Sequence, residues 1–279
     1  MTAERTTERT AARTAAGAGD YARLDGVDLY YESHGSGGRP LVLLHGGVQT
    51  IGLAFGALLP ALAAKRRVIA VELQGHGHTA DTDREMSVPA FAGDVVALLD
   101  LLGIGRADLF GFSLGGMTAL ETSLRNPERV GRQILMSVAF RPDGFLEEIR
   151  DPALHAGSDR LPTQADFAEM VAAYRAVAPD PDHFEAFLAR CSSTANGHPG
   201  WTDEQLRALT VPTLLVMGDT DFMPVAHGEE VHRLIPGSRL AVLPGARHLD
   251  LPRRPELLLP LVEAFLAGDG DGDGDGDAD

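Results

Sequence analysis

The sequence predicts an α/β protein: a mostly parallel sheet with helices on both faces and a helical cap inserted late in the order. Three observations carry this. Strands and helices alternate along most of the chain. Each inner strand is a continuous apolar run, as expected of a strand buried on both faces. The alternation breaks once, over residues 141–208, and then resumes.

"YARLDGVDLYYESHG" reads as a hairpin, with alternating Val27, Leu29 and Tyr31 after an Asp25-Gly26 turn. "RPLVLLHGG" gives a short apolar strand, Leu41 to Leu44, ending in glycines. "IGLAFGALLPALAAK" is predicted helical, and "RRVIAVELQGHG" is another buried strand running into a glycine-rich loop. In "SVPAFAGDVVALLDLLGI", Phe91, Val95, Leu98, Leu99 and Leu102 recur at helical spacing, with Ser87 as N-cap and Pro89 in the first turn. Strand "ADLFGF", helix "LGGMTALETSLRNP" and strand "RQILMSVAF", ending at Phe140, follow. Residues 141–208 hold only helical fragments, such as "QADFAEMVAAYRAVA" and "DPDHFEAFLARC", among many Pro, Asp and Gly. The sheet pattern returns with "VPTLLVMGD", helix "GEEVHRLI", strand "RLAVLPGA" and a closing helix "PELLLPLVEAFLAG". The expected organisation is a leader at 1–20, a core at 21–140 and 209–267, a cap at 141–208 and a tail at 268–279.

Composition excludes several classes. No apolar run reaches the roughly 20 residues that span a bilayer. The start, rich in Thr, Ala and Arg, has no apolar secretory segment and reads as a disordered leader. Cys191 is the only cysteine, so no intrachain disulfide is possible, which fits a reducing cytoplasm. Nothing near it in sequence supplies a histidine partner, so it is expected to be inert. Net charge is -16, and six of those charges are Asp269, Asp271, Asp273, Asp275, Asp277 and Asp279 of the Gly-Asp tail, which reads as solvated and self-repelling. The acidic balance argues against nucleic acid and anionic membranes as partners.

Gly111-Phe112-Ser113-Leu114-Gly115 fits G-x-S-x-G. Such a serine stands on a sharp strand-to-helix turn, and side chains two positions to either side would collide. The turn lifts the hydroxyl clear of the sheet. It also sets the Leu114 N–H at a helix start, where it can donate to a developing oxyanion. A serine needs a base, and the base needs an orienting acid. "LLVMGDTDFMP" ends a strand with Asp219 and Asp221, and "LAVLPGARHLDLP" ends the next with His248. Ser113, Asp221 and His248 thus fall at the C-terminal ends of different strands, where a parallel sheet gathers its site.

The chain resembles the α/β-hydrolase superfamily of the small capped type. "HGG" at 45–47, "GHGHT" at 75–79, "GFSLGG" at 111–116, "GDTDFMP" at 218–224 and "PGARH" at 244–248 carry the resemblance, in family order. It implies Ser113 as nucleophile, His248 as base, Asp221 as acid, and no cofactor. It also implies an oxyanion N–H from the loop after His45. By position this is Gly47, with Val48 as the neighbouring alternative, beside that of Leu114. Asp143 is the alternative acid, because some members place it after the earlier strand. Asp221 is preferred because its Gly-Asp-Thr-Asp turn, closed by Pro224, holds a carboxylate still. A serine in this place argues against aspartyl-ester chemistry. The expected activity is hydrolysis of an ester or related acyl bond of a small, largely apolar substrate. C–C bond hydrolysis, lactone opening and perhydrolysis are alternatives with the same triad, and a non-catalytic binding member is the alternative of a different class.

Other residues have plainer expectations. His45 and Asp219 shape loops. His76 and His78 lack a third ligand, so no metal is expected. Val48, Phe145, Trp201, Phe222 and Met223 are candidates for lining the substrate pocket, and Phe167, Tyr174 and Phe187 add apolar surface within the 141–208 segment.

Overall fold

The computed structural model describes residues 19–268. Eight strands form one sheet: β1 Gly19–Leu24, β2 Val27–His34, β3 Leu41–Leu44, β4 Val68–Val71, β5 Ala107–Phe112, β6 Val130–Met136, β7 Thr213–Gly218 and β8 Arg239–Leu243. Their order across the sheet is β1-β2-β4-β3-β5-β6-β7-β8. β1 and β2 form the expected hairpin, and Gly26 takes a φ of 75° that its turn requires. β2 runs antiparallel to β4, and every later pairing is parallel.

The continuous apolar strands have a direct explanation. In β3, Leu41 and Leu43 pack into one core with Phe55, Phe110 and Val262. Val42 and Leu44 pack into the core on the other face, with Phe91, Val95 and Leu120. Successive side chains point to opposite faces, and helices cover both, so no position can be polar without cost. Helix Val88–Leu101 begins where expected: the Ser87 hydroxyl accepts from the Ala90 N–H at 3.4 Å.

Three boundaries differ from expectation. β1 begins at Gly19, inside the expected leader; the rest of that leader, and the tail beyond Gly268, lie outside the described residues. The stretch expected as one helix over 51–65 is two, Ile51–Phe55 and Leu59–Ala63. Pro60 cannot donate a backbone hydrogen bond, so it stands in the first turn of a new helix. β6 ends at Met136 rather than Phe140, because Ser137 adopts φ 57° and turns the chain off the sheet.

Residues 141–208 contribute no strand. Their main helices are Gln164–Val177, opened by a Thr163–Asp166 capping box, and Phe184–Gly197. The second of these is tied to the loop after β4: Arg190 pairs with Asp81, the Thr194 hydroxyl donates to the Met86 carbonyl at 2.8 Å, and Phe187 meets the His76 ring edge-on at 4.6 Å.

Candidate active site

The C-terminal ends of five strands converge. Ser113 follows β5 directly, with φ 51° and ψ −116°, a conformation that costs a non-glycine residue about 1–3 kcal/mol. The flanking glycines are required. A Cβ on Gly115 would stand 2.0 Å from the Leu44 carbonyl oxygen, and one on Gly111 2.2 Å from the Gly115 oxygen. Both obstacles are backbone and cannot move aside.

His248 follows β8. Its Nε2 lies 3.1 Å from Ser113 Oγ, and its Nδ1 lies 2.8 Å from Asp221 Oδ1. Asp221 follows β7 and is shut off from solvent, yet its carboxyl is held below the ordinary carboxylate range. Burial pushes it up. The charge of His248 and its hydrogen bond, then bonds from the Ser137 hydroxyl and the Phe222 N–H, outweigh that push. With Asp221 ionised, Nδ1 keeps its proton and Nε2 is free to accept one from Ser113. Phe222 stacks flat on the imidazole, with ring centroids 3.9 Å apart and 6° between planes, which fixes the ring's tilt.

Ser137, directly after β6, is the residue that sequence reasoning missed. Its hydroxyl lies 2.8 and 2.6 Å from the two Asp221 carboxylate oxygens and 2.6 Å from His248 Nδ1. One signal could have found it: it closes a parallel strand beside two others already suspected. Arg160 was also missed. Its guanidinium donates to the Asp221 backbone carbonyl at 2.7 Å, so the 141–208 segment grips the loop that carries Asp221. The Leu146 N–H, bonded to the Phe222 carbonyl at 3.0 Å, adds a second grip.

Asp143 lies elsewhere. Its side chain is 78% exposed and stands 3.7 Å from Arg141, so it is not one of the groups around His248. Asp219 accepts from the Ala246 N–H at 3.3 Å and shapes the turn. His45 bridges two loops, with Nδ1 against the Gly46 carbonyl and Nε2 accepting from the Leu73 N–H. His76 and His78 diverge: His78 pairs with the buried Glu72, while His76 lies 3.5 Å from Cys191. The cysteine therefore has a histidine neighbour after all. Burial nevertheless pushes its thiol up to about 11, against a backbone hydrogen bond from Val48. Cys191 packs onto the loop after β3, where a Cβ on Gly47 would come 3.1 Å from its sulphur. Val48, in that loop, has φ 60°.

A cavity of about 290 Å³ opens beside Met117, one helical turn beyond Ser113, and Phe145 lines it. The other four expected pocket residues, Val48, Trp201, Phe222 and Met223, do not line it. Trp201 is buried in the core, with its indole donating to Glu121 at 2.8 Å. Met223 is buried against Ala139 and Met217. Tyr174 and Phe187 stack on each other as packing, and Phe167 is partly exposed, edge-on to Phe184. Among the described residues no helix is long and apolar enough to cross a membrane.

The fold and this convergence define a hydrolase of the α/β type, and comparison with known proteins agrees. The family model for the α/β hydrolase fold matches residues 39–198, and the chain belongs to that family. It is 31% identical over 239 residues to a pimeloyl-[acyl-carrier protein] methyl ester esterase of Neisseria meningitidis, covering 77% of this chain and 88% of that protein. It is 32% identical over 260 residues to the dihydrolipoyllysine-residue acetyltransferase component of the acetoin cleaving system of Pseudomonas putida, covering 85% of this chain and 66% of that longer protein. Among solved structures, the N-acyl homoserine lactone degrading enzyme Est816 superposes with a TM-score of 0.71 at 26% identity, over 88% of this chain and all of that one.

Proposed function

We propose that the protein hydrolyses carboxylic esters through an acyl-enzyme on Ser113. The observation that carries the reading is the unbroken relay from Ser113 Oγ through both nitrogens of His248 to a buried, ionised Asp221. Ser113 Oγ attacks the ester carbonyl carbon as His248 Nε2 takes its proton. Asp221 keeps the other proton on Nδ1 and stabilises the imidazolium. The oxyanion accepts from the N–H groups of Leu114 and Gly47. With Val48 hydrogen-bonded to the Cys191 sulphur, Gly47 is the better second donor. Nε2 then protonates the departing alcohol. Water attacks the acyl-enzyme, gives its proton to Nε2, and the acid leaves as Ser113 regains its hydrogen.

The acyl group extends past Met117 into the cavity, against Ala139, Phe145 and Ile149. The 141–208 segment forms the cap, and it sets substrate choice. Lactone opening is a second reading, favoured by the likeness to Est816. It uses the same steps with a tethered leaving group. Ser113→Ala is expected to lower kcat by about 10⁴-fold or more with the fold intact, and to abolish labelling by a fluorophosphonate. Unchanged turnover in that variant would overturn the reading. A panel of esters and lactones separates its two forms.

A further inference from the structure

The cavity beside Met117 has a polarity at odds with the chain around it. Acidic residues outnumber basic ones by 40 to 24, yet none of the residues lining the cavity is acidic. Its polar side chains are Arg141, Arg150, Asn196 and His198, and each offers hydrogen-bond donors. Arg141 is already neutralised, held 2.8 Å from Asp203 and paired with Glu230. Arg150 is not. Neither its guanidinium nor the Asn196 amide has an intramolecular partner among the described residues, and nearby Glu148 is taken by Arg160 at 3.2 Å. His198 accepts from the Gly200 N–H through Nδ1 at 3.0 Å, so the neutral ring carries its proton on Nε2. Burial holds that ring below the ordinary histidine range, which keeps it an uncharged donor at neutral pH.

The same cavity has an apolar wall. Met117, one turn on from Ser113, begins a surface continued by Ala139, Phe145 and Ile149. We propose that the cavity binds an acyl chain ending in a carboxylate, received by Arg150 with Asn196 and His198, so that the substrates are monoesters or lactones derived from dicarboxylic acids. The inference rests on the serine-hydrolase reading and names its substrate class. One unpaired guanidinium, with its fork of parallel N–H groups, matches a singly charged carboxylate in a bidentate pair. A phosphate of nearly two charges would leave part of its charge unmet.

The test compares matched pairs of methyl esters, one ending in a methyl group and the other in a carboxylate, along the series from succinate to suberate. At neutral pH and low salt, wild-type kcat/KM is expected to favour the carboxylated member at its best length by about tenfold, the scale of one hydrogen-bonded charge. Arg150→Ala is expected to collapse that ratio, Arg150→Glu to invert it and Arg150→Lys to keep part of it. High salt should weaken the preference. A wild-type ratio at or below one for every length overturns the proposal, as does an Arg150→Ala variant that loses both members of a pair equally. Fluorophosphonate labelling of Ser113 separates the two levels. A labelled enzyme with no carboxylate preference overturns the subsite alone, whereas an unlabelled, inactive enzyme overturns the hydrolase reading and the subsite with it.

Discussion

Asp221 sits in an electrostatic conflict, and its outcome sets two expectations. Burial alone would protonate it, and the groups around it keep it ionised. An amide in its place can still accept from Nδ1–H but brings no charge to steady an imidazolium, and it can also present N–H to Nδ1, fixing the wrong tautomer. Asp221→Asn should therefore lower kcat by about 10³–10⁴-fold. Asp143→Asn, out at the surface beside Arg141, should cost less than about tenfold. Steady-state kinetics of both variants on one ester decides the acid, and a crippled Asp143→Asn would move it. Ser137→Ala removes one hydrogen bond to a charged group, worth about 1.5–3 kcal/mol. We expect a fall in kcat of about ten- to a hundredfold, with KM little changed. An unaltered kcat would reduce Ser137 to packing. The difference in legibility between these residues is physical. Ser113, Asp221 and His248 sit in turns whose Gly and Pro mark them in the sequence. Ser137 sits in "LMSVAF", where an apolar run hides the point at which the strand ends.

At the scale of elements, the sheet was legible and the segment over it was not. A strand buried on both faces reads as a near-continuous apolar run, broken in β5 by Asp108 and in β7 by Thr213, so β3, β5 and β7 announce themselves. The segment 141–208 owes its shape to contacts with distant loops, such as Arg160 on Asp221 and Arg190 on Asp81, which leave no local period to read. That is why two aromatic residues in it, similar on paper, take different parts. Trp201 is core: its indole satisfies the buried Glu121 and its ring lies against Phe140. Phe145 lines the cavity. Trp201→Phe deletes the donor to Glu121 and should cost about 1–3 kcal/mol of stability while leaving the ranking of acyl groups unchanged. Phe145→Ala should alter that ranking with a smaller loss of stability. Melting temperatures and kcat/KM across an ester series check both. Equal shifts of ranking in the two variants would place Trp201 in the pocket after all.

For the whole molecule, the buried titratable groups set the dependence of stability on pH. His45 and His76 are fully enclosed and His227 nearly so, and burial is the first cause that lowers each below the ordinary value of 6.5. A group with a depressed folded pKa stabilises above its unfolded pKa, and that contribution is lost as pH falls toward the folded value. As pH drops below 6.5, the unfolded chain takes up protons that these three rings refuse. Each such proton tilts the balance by about 1.4 kcal/mol per pH unit. The carboxylates of Asp221, Asp166 and Asp250, all depressed, act with the same sign but enter only as pH nears their ordinary 3.8. Asp108 opposes them: burial raises it, so its contribution is present at low pH and lost as pH rises through its folded value. One opposing carboxylate with a lower ordinary value cannot cancel three histidines in the window above 3.8. The melting temperature should therefore fall steadily as pH drops from 6.5 toward 3.8, with the depressed carboxylates adding to the fall as that value is approached. His227→Gln, which removes one of the three rings, should make that fall shallower. Calorimetry across the window reads both, and a melting temperature that stays flat there would mean that the buried rings titrate in the folded protein much as they do in water.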